Sequence, residues 1–191
     1  MRRKTKRGHK HFHVAICSRD HETNYHWLRE LLQDCTATVR SVDPVCVTNQ
    51  PSRLHQEMAP YTLAVLYHTK KRGRVNVTNV TDSLYDQELQ YLREELGKDN
   101  VIVVIDDLEL STGEVYERIT RDQPDIMKHS AKLFLFSEDD KKCLQDGKPP
   151  PELQTRLKGL KTACENAKYL KRIKKNKENS KPKKNKRSHE K

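Results

Sequence analysis

Val101-Ile102-Val103-Val104-Ile105 places five β-branched residues in a row. A strand with one wet face alternates apolar and polar side chains, so an unbroken run predicts a strand covered on both faces, as inside a mostly parallel α/β sheet. Tyr61 to Tyr67 carries a second such run, and Phe12, Val14, Ala15 and Ile16 form a shorter one that ends in Cys17-Ser18-Arg19-Asp20. Ala131 to Phe136 predicts another strand. Residues 37–48 read as one or two short strands, Thr38–Val42 and Val45–Thr48, interrupted by Asp43-Pro44.

Between these runs the apolar spacing turns helical. Trp27, Leu28, Leu31, Leu32 and Cys35 form one stripe, with Asp20 or Thr23 as N-cap, which puts the single tryptophan on the core side of a first helix. Leu54 and Met58 mark a short helix within Gln50 to Ala59. Tyr85, Leu89, Leu92 and Leu96 mark the next, capped by Asp82 or Thr81 and closed by Gly97. Ser111-x-x-Glu114 has the form of a capping box that opens a helix to about Thr120, with Val115 and Ile119 inward. Ser137-Glu138-Asp139-Asp140 looks like a further helix start, and three prolines at 149–151 precede a long helix marked by Leu153, Leu157, Leu160 and Cys164 that Leu170 and Ile173 extend.

Strand and helix alternate throughout, and right-handed crossovers turn that order into a single α/β domain. The expectation is a five-stranded, mostly parallel sheet flanked by helices, a flavodoxin-like or Rossmann-like three-layer sandwich. A long C-terminal helix and a disordered basic tail would follow it. The divisions expected are a disordered basic arm (1–10), the α/β core (11–148), the C-terminal helix (149–173) and a lysine-rich tail (174–191).

Charge sharpens those divisions. Residues 1–13 carry six Lys/Arg and no acid, residues 168–191 carry twelve against two acids, and residues 14–167 hold the other twenty against twenty-five. A mildly acidic body with two cationic ends points to a polyanionic partner or a receptor for basic signals, not to a uniformly basic nucleic-acid-binding globule. No run of about 18 apolar residues exists, and Met1-Arg2-Arg3-Lys4 is followed by no apolar stretch, so neither membrane span nor secretory signal is expected and an intracellular location is. The sequons Asn76-Val77-Thr78 and Asn79-Val80-Thr81 then read only as polar, β-prone sequence. Five scattered cysteines lack C-x-x-C spacing, which argues against a disulfide framework or a zinc ribbon.

The candidate chemistry is uneven. Lys171-Arg172, a ten-residue spacer and Lys183-Lys184-Asn185-Lys186-Arg187 match a bipartite nuclear localisation pattern, whose basic clusters enter acidic, aromatic-lined pockets of an import receptor. The same tail would hold nucleic acid through phosphate contacts alone, because no aromatic follows Lys171. Lys70, Lys71, Arg72 and Arg74 form the cationic cluster of the core and are candidates for anion contact. Asp106 and Asp107 end the Val/Ile strand where open α/β sheets bind ligands, although the turn preference of Asp offers the alternative that they only end the strand. His9, His11 and His13 would share one face of an extended chain and could bind Zn²⁺ or Ni²⁺. Neither a G-x-x-x-x-G-K-[ST] loop nor a G-x-G pair occurs, so no phosphate cradle and no cofactor are expected.

One family resemblance follows from order. The strand Phe12–Ser18, the Trp-containing helix, the strand Thr62–Tyr67, Tyr85-Asp86-Gln87-Glu88-Leu89 and the Val/Ile strand together resemble the layout of TIR domains over residues 12–110. Cys17-Ser18-Arg19 departs from that family's first-strand motif. The resemblance implies that Glu88 would be the acidic residue facing the ribose in NAD-cleaving members. Since no Ser-His-Asp or Cys-His set can be assembled from order, the reading leans away from an enzyme. It favours a nuclear regulatory or adaptor protein that binds protein or polyanionic partners, with an RNA-associated nuclear or nucleolar factor as the alternative and TIR-like NAD binding or hydrolysis as the second. No segment specifies an oligomeric state or the protein partner.

Overall fold

The computed structural model describes residues 12–35 and 39–179, with residues 35, 51 and 167–179 described by backbone alone. Five strands, β1 (Phe12–Ser18), β2 (Val39–Cys46), β3 (Leu63–Thr69), β4 (Val101–Leu108) and β5 (Lys132–Ser137), form one sheet in the order β2-β1-β3-β4-β5. Every neighbouring pair is parallel. Helices α1 (His26–Cys35), α2 (Pro51–Glu57), α3 (Asp86–Leu96), α4 (Gly113–Asp122), α5 (Asp125–His129), α6 (Glu138–Gln145) and α7 (Pro151–Asn179) supply the crossovers and the covering layers.

The Val/Ile run is buried along its whole length, and its side chains divide by the pleat. Val101, Val103 and Ile105 belong to one buried cluster with Leu54 of α2 and Leu89, Leu92 and Leu96 of α3, while Ile102 and Val104 belong to another with Leu28 and Leu32 of α1 and Leu153 and Leu160 of α7. Both faces are therefore dry, which is what an unalternating run requires. Burying each such side chain stabilises the fold by roughly 2 kcal/mol.

Several local expectations change. Asp43-Pro44 does not break β2, because β2 lies at the sheet border, where a residue without an N–H is tolerated. Neither Asp20 nor Thr23 caps α1: a 3-10 turn over Glu22–Asn24 comes first, and α1 begins at His26. Likewise α3 begins at Asp86, beyond Thr81 and Asp82. No capping box forms at Ser111, whose hydroxyl donates instead to Asp140 Oδ2 at 2.6 Å. The box at Ser137 and Asp140 does form. Both sequons lie in the loop between β3 and α3 and not in a strand; Asn76 is buried there, and its amide donates to the Asp82 carbonyl at 2.7 Å.

α7 fixes the direction of the last layer. Near its start Arg156 reaches Asp140 and the Ser111 carbonyl at the C-terminal ends of the strands, and farther on it passes the Lys98–Asn100 turn that leads into β4. Gly159 lies between, against the Phe134 ring, where an added Cβ would stand at 3.4 Å, an ordinary van der Waals contact. α7 thus runs opposite to the strands, and its backbone continues through Lys171 and Arg172 to Asn179.

Candidate functional site

The strand order reverses direction between β1 and β3, and parallel sheets of this kind take ligands at the carboxyl ends of the strands beside that switch. Two groups of polar side chains meet there, one on each face of the sheet.

On the face of α1 and α6 the centre is a bulge in β4. Ile105 pairs with Leu135 and Leu108 with Ser137, so Asp106 and Asp107 together oppose one residue of β5. Asp107 takes φ 56°, a left-handed conformation that Asp tolerates better than most residues. A regular strand would send these two carboxylates to opposite faces; the bulge lets both reach Lys141 of α6. Asp106 is fully buried. Its Oδ2 accepts from Tyr67 Oη at 2.8 Å, Trp27 Nε1 at 3.0 Å and Lys141 Nζ at 3.2 Å, and its Oδ1 accepts from the Asp107 amide at 2.6 Å. Asp107 accepts from Thr69 Oγ1 at 2.5 Å, pairs with Lys71 Nζ at 3.1 Å and is bonded to Lys141.

The two carboxyls are pushed apart electrostatically. Burial raises Asp106, outweighing the nearby Lys141 ammonium and the Tyr67 hydroxyl. Burial also pushes Asp107 upward, but hydrogen bonds from Lys141, Thr69 and Lys71 overcome it and hold that carboxyl below the usual range. Burial tends to lower Lys141, yet its bonds to Asp107 and Asp106 keep it above the ordinary lysine value. Lys141 is therefore held as a cation between the two carboxylates.

On the face of α3 the centre is Arg19. Its Nη2 meets Glu88 Oε1 at 2.8 Å, its Nε donates to the Leu84 carbonyl at 3.0 Å and its Nη1 to Asn49 Oδ1 at 2.5 Å. Arg72 leans over the same turn, 3.2 Å from both the Arg19 carbonyl and Asp20 Oδ1. The crevice at the switch point is thus occupied by two guanidinium groups that are already paired.

Glu88 lies at the start of α3, nearly buried, with its carboxylate engaged by Arg19. The basic cluster after β3 is paired residue by residue: Lys70 with Glu109, Lys71 with Asp107, Arg72 with Asp20 and Arg74 with Asp82. His13 Nδ1 lies 2.7 Å from Ser41 Oγ, whereas His9 and His11 lie outside the described residues. Lys171 and Arg172 are on the backbone of α7, and Lys183, Lys184, Lys186 and Arg187 lie outside the described residues. No described helix is long and apolar enough to cross a membrane.

Trp27 packs against the α1-side core, as its helical spacing predicts, but at the border of that stripe. It is half-buried on the wall of a cleft of about 780 Å³, its indole edge-on to Phe136 at 4.9 Å. That cleft runs between α1 and α6 over Lys71, Asp107 and Lys141. Helical periodicity places Trp27 beside Leu28 and Leu31, but a stripe of that width has a border, and the indole N–H needs a polar partner there. Lys141 carried no signal, being one of several charged residues after Ser137.

Comparison of the chain with protein-family models, with curated proteins and with solved structures finds no match in any of the three.

Proposed function

We propose that this chain is a binding protein and not a catalyst: an intracellular, nuclear regulatory or adaptor protein whose α/β body engages a protein partner and whose basic C-terminal stretch engages an import receptor and polyanions. The observation that carries this reading is the division of charge within one chain, twelve Lys/Arg against two acids over residues 168–191 beside a body of net negative charge. Supporting it, the polar groups at the carboxyl ends of the strands satisfy one another as ion pairs, whereas a substrate site keeps groups aimed at its substrate. A fluorescent fusion of the full chain should concentrate in the nucleus, and exchanging Lys171, Arg172, Lys183, Lys184, Lys186 and Arg187 for Gln should leave it evenly distributed. Unchanged nuclear accumulation in the exchanged protein would refute the import role.

A specific observation favours the RNA-associated alternative as well. The helical backbone continues from the body through Lys171, Arg172, Lys174, Lys175 and Lys177, so these positions are carried on an extension of a packed helix. Retention on RNA resin separates the two readings. Elution that shifts steeply with salt and persists when residues 183–187 are neutralised favours the RNA factor, while loss of retention on that exchange leaves only the address role.

A further inference from the structure

We infer that the cleft between α1 and α6 is a receptor for the lysine-rich segment Lys181 to Arg187 of a second copy of this chain. The cleft's own charges do not cancel evenly. Lys141 is turned inward onto Asp106 and Asp107, Lys71 pairs with Asp107 at 3.1 Å from an exposed position, and Lys142 pairs with Asp139 at 2.9 Å. What remains on the two rims is Glu30 and Asp34 from α1 and Glu138 from α6, all exposed. Glu30 has only His26 at 3.3 Å as partner, and Asp34 and Glu138 have no ion pair among the described residues. Between the rims Trp27, Leu31 and Leu144 supply a half-buried apolar wall. Carboxylates flanking an indole suit an extended lysine-rich segment, whose methylene stems lie on the apolar wall while the ammonium groups reach the acids.

The segment comes from another molecule because of where α7 leads. The cleft opens at the carboxyl ends of the strands, beside the start of α7, and α7 carries the chain toward the opposite edge. From Arg156 to Asn179 the helix advances about 35 Å. Lys181 follows Asn179 by two residues, a reach of about 7 Å if fully extended, so the segment as a whole cannot lie in its own cleft. A segment that follows Asn179 leaves from the end of the body opposite the cleft, and its capture by a second copy is a head-to-tail arrangement that propagates or closes into a ring.

Trp27, the single tryptophan, reports directly on the cleft. In sedimentation velocity at low salt, the full chain is expected to gain mass with concentration and to shift its Trp27 emission over the same range. Both changes should vanish on addition of excess free peptide spanning residues 180–191. The full-length E30Q/D34N/E138Q variant, altered only at exposed positions, should remain monomeric with unshifted emission while keeping the circular dichroism of the parent. A parent that stays monomeric at every concentration, or a variant that associates as the parent does, would overturn the proposal. These readouts require neither nuclear import nor nucleic acid, so they stand or fall apart from the function proposed above.

Discussion

The two polar clusters at the carboxyl ends of the strands use the same kinds of group in different solvents. On the α1 side, Asp106 and Asp107 are nearly or fully covered and share one ammonium with 17% side-chain exposure. On the α3 side, Arg19 and Glu88 keep 19% and 10%, and Arg19 is held by two further acceptors, the Leu84 carbonyl and Asn49. In the first cluster one buried cation, joined only by the exposed Lys71, faces two buried carboxylates, whereas in the second one carboxylate meets a cation with alternative partners. The first should therefore fail abruptly when its cation is lost, and the second should yield by degrees.

Lys141→Met tests the larger effect. It leaves two carboxylates with little water and only Lys71 near Asp107, and it should destabilise the fold by about 4 kcal/mol in urea denaturation. Adding Asp106→Asn and Asp107→Asn to Lys141→Met should recover most of that loss, since the missing term is charge and not packing. A drop under about 1 kcal/mol for the single variant would mean that water reaches the bulge and the comparison fails. Arg19→Ala should cost about 2 kcal/mol, through the lost bonds to Leu84 and Glu88. The same cluster bears on the TIR resemblance: with its carboxylate held by Arg19, Glu88 should leave NAD intact, in the parent and in Glu88→Ala alike. NAD turnover in the parent that disappears in Glu88→Ala would reinstate an enzymatic reading.

Acid titration sharpens the contrast within the first cluster, because its two carboxyls act with opposite sign. Asp107 is held below 3.8, so its contribution is present above that value and is lost as pH falls through its lowered folded value. Asp106 is raised, so its contribution is present below 3.8 and is lost as pH rises through its higher folded value. Asp107→Asn should accordingly flatten the loss of stability below about pH 4, whereas Asp106→Asn should act above about pH 4, where it removes the gain in stability that acidification otherwise brings. Urea midpoints measured from pH 2 to 6 decide this, and identical slopes in both variants would contradict the assignment.

Much of the layered architecture was legible in the sequence because burial on two faces leaves a pattern without alternation, and the Val101 to Ile105 run shows it in a single stretch. Helix starts were less legible. Ser111 has the letters of a capping box, but a hydroxyl goes to the strongest acceptor within reach, and Asp140 is brought there only by the packed β5 and α6. The site was half legible. Twin aspartates after a buried strand mark the place, yet their joint use of Lys141 depends on a bulge that no local residue preference announces, and on a lysine 34 positions away. Trp27 packs against the core as its spacing predicts, while its place at the border of the apolar side is not legible, because periodicity reports which side of a helix is apolar and not which residue stands at its edge.

The smallest expected effect isolates what burial contributes, because Lys71 and Lys141 bind the same oxygen, Asp107 Oδ1. Their chemistry is identical and their exposures are 59% and 17%. An exposed ammonium remains hydrated, adds little to an acid already neutralised from within and loses side-chain entropy when it is held in place. Lys71→Ala should therefore change stability by no more than about 0.5 kcal/mol, with any difference from the parent removed by raising the salt concentration. A loss near that of Lys141→Met would show that the two lysines act as one buried unit, and that the cleft over them is closed to solvent.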